Sequence, residues 1–83
     1  GDSMTDANIL DGDVVVIEQS QMAENGEKVV VRINQKEVTL KTLRLYQDGV
    51  KLIPANSSMS PIVLNNADVE VLGIVRGVIR DRI

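Results

Sequence analysis

Ser3 and the lysines at positions 28, 36, 41 and 51 are the residues of this 83-residue chain whose types could do chemistry together. The chain has no histidine and no cysteine. A Ser-His-Asp triad, histidine or thiolate metal sites, a cysteine nucleophile and disulfides are therefore excluded. A serine hydroxyl is a weak nucleophile until a base takes its proton, and without histidine the substitute is a neutral lysine. An enzyme made of these residues without a cofactor must place its proton on a carboxylate, a lysine or Tyr46.

A lysine works as a base near pH 7 only if its pKa falls by about 3 from its usual ~10.4, which costs roughly 4 kcal/mol. Burial among apolar groups can supply that change. The lysine to look for therefore faces inward from a hydrophobic strand. Lys36 sits in a polar break, and Lys28 follows Glu27 at the start of an apolar run. Lys51 lies between Val50 and Leu52, but in a short segment beside a turn. Lys41 is central in EVTLKTLRL (37–45), where strand alternation puts it on one face with Thr39, Leu43 and Leu45. On spacing alone, a surface lysine laying its stem along apolar neighbours is the commoner outcome.

The elements that must hold these residues are strands. Thirteen valines, one tyrosine and no phenylalanine or tryptophan describe a β-rich chain with a branched aliphatic core. Apolar runs at 13–18, 28–33, 37–45, 50–53, 61–64 and 69–80 read as strands. They are punctuated by Asp11-Gly12, Asn25-Gly26, the polar 34–36, Asp48-Gly49 and the loop-like 55–61. No amphipathic helix of ten residues or more is present. The pattern predicts a single mostly β, barrel-like domain with no substantial helix. No apolar run approaches the roughly 18 residues a membrane helix needs, and no basic leader precedes the first strand. The chain reads as soluble, and its lack of cysteine suits a reducing cytoplasm.

Two other features carry possible functions. Asp2, Asp6, Asp11 and Asp13 cluster near the front, but their spacing does not follow a calcium loop, so no metal and no cofactor is expected. The net charge is −3 and the nine basic residues are scattered, so no nucleic-acid-binding stripe is visible. The last run is apolar on both sides. Alternation sets Val71, Gly73, Val75, Gly77 and Ile79 on one face, with Leu72, Ile74 and Val78 beside Arg76 and Arg80 on the other. Such a strand is either central in a sheet or part of an interface.

Several segments in order resemble one family. They are GDSM (1–4), LDGDVVVIE (10–18), NGEKVVVRI (25–33), EVTLKTL (37–43), LIPANS (52–57), PIVL (61–64) and VLGIVRGVIR (71–80). Together they resemble the catalytic domain of LexA-like repressors and their UmuD-like relatives, which are self-cleaving serine-lysine proteases with a LexA/signal-peptidase-like β fold. The spacing of 38 residues between Ser3 and Lys41 is typical of that family.

The resemblance implies that Ser3 is the nucleophile and Lys41 the general base. Asp2, Ser3 and Met4 would form the nucleophile turn, with the backbone N–H groups of Ser3 and Asp2 facing the oxyanion. The substrate would be a small-Gly bond upstream in the same polypeptide. The resemblance further implies that 1–83 is one peptidase and dimerisation domain truncated at its N-terminus, with the DNA-binding domain and cleavage segment lying upstream. Operator DNA would be met only through that missing part. A homodimer is implied, built on Val71, Gly73, Ile74, Val75, Gly77, Val78 and Ile79, as is a RecA filament stimulating cleavage in the SOS response. Type I signal peptidases share the dyad, but they carry a proline two residues after the methionine, where Thr5-Asp6 follow here, and they have membrane anchors. The remaining alternatives are a catalytically silent dimerisation module and a UmuD-like translesion polymerase accessory subunit.

Overall fold

The computed structural model describes residues 12–55 and 58–80. The apolar runs form β1 (Val14–Gln19), β2 (Lys28–Ile33), β3 (Glu37–Leu45), β4 (Gly49–Ile53), β5 (Ile62–Asn65) and β6 (Val69–Ile79). A 3₁₀ turn, Asn66–Asp68, leads into β6. The strands make one antiparallel sheet in the order β1-β6-β2-β3-β4-β5. The all-β expectation holds. No helix among the described residues is long and apolar enough to cross a membrane.

β2 to β5 form a meander joined by local turns. Asn34 and Gln35, both with positive φ (51° and 64°), turn the chain between β2 and β3, and Lys36 N–H donates to Ile33 C=O at 3.0 Å. Such left-handed turns match the natural twist of paired strands. Tyr46 N–H donates to Gly49 C=O at 2.9 Å across the next turn. The Asn25-Gly26 turn does more than reverse direction. Gly26, at φ 89°, donates its N–H to Leu43 C=O at 2.7 Å, and Asn25 Oδ1 accepts from Leu45 N–H at 2.8 Å. The 20–27 connection is thereby stitched to β3, and Ala23 packs against the core.

That core occupies one face of the sheet. Val29, Val31 and Leu52 are fully buried there, with Ile33, Leu43, Val50 and Ile74 nearly so. Val69 and Val71 of β6 line a 260 Å³ cavity together with Leu43, Leu45 and Val50 of β3 and β4. Strands two and three places apart share this cavity, so the sheet curls around its apolar face. It is not a closed barrel among the described residues: β1 and β5 are edges, each paired on one side only.

β6 corrects the face assignment drawn from simple alternation. Its register with β2 shifts between Val30 and Val31, which face Gly73 and Val71 and leave Leu72 as the extra residue. A second shift, against Val16 and Ile17, leaves Arg76 extra. Each bulge inserts one residue and reverses the alternation beyond it. Val71 and Ile74, expected on opposite faces, therefore both lie on the core face, opposite Val31 and Val29.

Gly73 sits where β1 and β6 press together: a Cβ there would run into the Ile17 side chain and approach the Glu18 carbonyl oxygen at 3.0 Å. Replacing Gly73→Ala should destabilise the fold by about 1–3 kcal/mol, the usual range for overpacking. Urea unfolding checks this. An unchanged midpoint would show that β1 yields freely to the added methyl.

Candidate active site

β3 is a central strand, flanked by β2 and β4, and its inward face alternates Thr39, Lys41, Leu43. Lys41 lies opposite fully buried Val29 and is itself only 6% exposed. It is the one buried polar or charged residue among those described. Burying an amine is costly unless it is hydrogen-bonded. Here Nζ donates to Thr39 Oγ1 at 2.7 Å and to the Leu40 carbonyl at 3.3 Å. Thr39 stands two residues away on the same face, so strand geometry itself delivers its hydroxyl to the amine.

The other three lysines are placed differently. Lys36 is exposed in the β2–β3 turn, and Lys28 and Lys51 belong to the opposite face of the sheet. Lys51 lies over the Tyr46 ring, 5.7 Å from its centroid. The lysine singled out by its setting in the sequence is the one that folding buries. Ser3, with Asp2 and Met4, lies outside the described residues, as do Asp6 and Asp11 of the acidic cluster.

Asp13, the remaining member of that cluster, has a partner. Its carboxylate receives Arg80 Nε at 2.9 Å and Nη2 at 2.7 Å, a forked ion pair in which the Asp13 side chain is only 4% exposed. This clamp ties the start of β1 to the residue that follows β6. The hydrogen bond that Arg80 donates to Asp13, together with the carboxylate's charge, raises the guanidinium above its ordinary pKa, against an opposing effect of burial. A raised pKa on a cation means that its stabilisation is fully present below the ordinary arginine range and is lost only above it. The clamp therefore persists through any ordinary alkaline assay. Arg76, the bulged residue of β6, bridges Glu18 at 2.6 Å and Glu27 at 3.3 Å at the surface.

The proposed interface residues divide between interior and surface. Ile74 belongs to the core, Val71 packs against it, and Gly73 is buried against β1. Val78 and Ile79 are exposed, and Val75 and Gly77 are partly so. From Val75 to Ile79, β6 is paired only with β1 among the described residues, which leaves its other edge open.

Residues 1–76 match the Peptidase S24-like family. The chain belongs to that family. It is 46% identical over 81 residues to a LexA repressor of Alcanivorax borkumensis, and 48% identical over the same length to LexA repressors of Bacillus cytotoxicus and Bacillus mycoides. Each match takes in 98% of this chain but only 38–39% of the relative. The chain thus spans less than two-fifths of the length of these repressors. As a Peptidase S24-like domain it carries Lys41 at the centre of its sheet. Sequence reading placed Thr39 beside that lysine without giving it a role, although a hydroxyl residue two places away on the same face was the available signal.

Thr39→Val removes one acceptor and leaves part of a buried amine unsatisfied, which should cost about 1–3 kcal/mol. Thr39→Ser retains the hydroxyl and should recover most of the loss. Urea unfolding of the two variants decides it: equal midpoints would mean that the 2.7 Å contact contributes nothing to the fold.

Proposed function

We propose that this chain is the self-processing serine-lysine endopeptidase domain of a LexA-like transcriptional repressor. The observation that carries the reading is the buried amine of Lys41, held on the core face of β3 by Thr39 Oγ1 and Leu40 C=O in a Peptidase S24-like domain.

In this reading Ser3 Oγ attacks the carbonyl carbon of a small-Gly bond in the upstream segment of the same polypeptide. Its proton passes to Lys41 Nζ, and the oxyanion is met by the backbone N–H groups of Ser3 and Asp2, with Met4 shaping the turn. As the C–N bond breaks, Lys41 returns the proton to the leaving glycine amine. Water then attacks the Ser3 ester, again giving a proton to Lys41, and the freed Ser3 oxygen recovers one. The chemistry needs no metal and no cofactor. Residues 1–83 act as one domain whose operator-binding part lies upstream in the parent. Cleavage answers DNA damage in the cytoplasm, with a RecA filament as stimulus.

The same domain dimerises. The exposed Val78 and Ile79, together with the open edge of β6 beyond Val75, support a two-fold contact there. Ile79→Lys should then convert the dimer to monomer in sedimentation experiments. A dimer that survives the change would move the interface elsewhere.

The decisive experiment uses the parent protein with its upstream region restored, incubated at pH 7 and pH 10 and followed by mass spectrometry. Cleavage at one small-Gly bond should be faster at pH 10, because the reaction needs the neutral amine. The Asp13–Arg80 clamp stays charged throughout. Ser3→Ala and Lys41→Ala should each lower the rate by roughly 10⁴-fold or more, as removal of a dyad member does. A parent chain that stays intact at both pH values, with RecA filaments also tried, would leave only the silent dimerisation module.

A further inference from the structure

The basic residues that look scattered along the chain are not scattered in the sheet. Pairing of β2 with β3 sets Lys28 opposite Thr42, and pairing of β3 with β4 sets Arg44 opposite Lys51. Lys41 and Leu43 point into the core, so Thr42 and Arg44, with their partners, occupy the other face. Three adjacent strands thus carry Lys28, Arg44 and Lys51 within about 12 Å, given strand spacings of ~4.8 Å and a rise of ~3.4 Å per residue. Arg32 shares this face but is neutralised by Glu70 at 2.9 Å. Among the described residues, none of the other three forms an ion pair.

Like charges directly opposite one another destabilise an antiparallel pair. Arg44 and Lys51 are such a pair, in a chain whose net charge is −3. Beside them lies Tyr46, the only aromatic residue of the chain, more than half exposed and in contact with the Lys51 ammonium. Asp48 in the adjoining turn is paired with none of these cations.

We infer that this face binds single-stranded nucleic acid, with Lys28, Arg44 and Lys51 on successive phosphates and a base stacked on Tyr46. Cations alone would suit any polyanion. The exposed ring beside them favours a nucleic acid over an acidic protein segment, because every base offers a π-face and a carboxylate side chain does not. The strip lies on the side of β3 opposite to Lys41, so this inference is independent of the proteolytic reading.

The test is fluorescence anisotropy of a labelled oligodeoxythymidylate titrated with the 83-residue chain at several salt concentrations. Neutralising three phosphates of a single strand predicts a slope of about −2 in log K against log salt. Arg44→Thr and Lys51→Thr should each weaken binding several-fold. Both should keep or raise the urea midpoint, since threonine suits a strand and the like-charge pair is relieved. Tyr46→Leu should weaken binding about five-fold or more. No binding at low salt, or binding indifferent to these substitutions, would overturn the inference. So would a polyglutamate peptide that displaces the oligonucleotide readily while Tyr46→Leu has no effect, for the face would then suit an acidic protein.

Discussion

The insertion of β6 between β1 and β2 is the constraint on which the rest of this sheet depends. The last described strand pairs with the first two described, so this sheet forms only when segments far apart in sequence have come together. Without β6, β1 would have no neighbour and β2 would be an edge. Such a long-range pairing pays its loop-closure entropy before any contact repays it. The interactions that offset this are concentrated at the junction. They are the core contacts of Ile74 and Val71, the close approach of Gly73 to β1, and the forked Asp13–Arg80 pair at the far end.

The two bulges in β6 follow from the same demand. An eleven-residue strand serves two partners over different stretches, β2 up to Ile74 and β1 from Gly73 onward. Each register shift re-aims the side chains beyond it, so that Val71 and Ile74 both reach the core while Arg76 turns to Glu18 and Glu27. These surface pairs of Arg76 contribute little to stability. The enclosed Asp13 carboxylate is a different case, because its forked pair with Arg80 is largely shielded from water.

The two faces of β3 divide the work of the domain. The inner face buries a single amine among valines and leucines and satisfies it with a neighbouring hydroxyl and a carbonyl. The outer face exposes cations in a cross-strand arrangement that opposes folding. Both features run against the simplest way to stabilise a sheet, which would be apolar residues inside and alternating charges outside. Departures of this kind concentrate where a protein acts rather than where it merely folds.

The sequence by itself determined the strands, their approximate limits and the lysine to watch. Branched residues and turn pairs are local signals, and Lys41 is conspicuous because three alternating neighbours, Thr39, Leu43 and Leu45, define its face. The run of motifs from GDSM to VLGIVRGVIR was enough to point to the family. Only the tertiary structure decided what depends on partners distant in sequence. Alternation alone put Val71 and Ile74 on opposite faces, because a bulge is a property of two strands in register and not of one. Arg44 and Lys51 appear unrelated until β3 and β4 pair, and Lys28 joins them only through β2. Asp13 stood out only as one of four carboxylates near the front, since the arginine that claims it lies 67 positions away. Local chemistry writes the elements, whereas charge neighbourhoods are set by register, which no single segment contains.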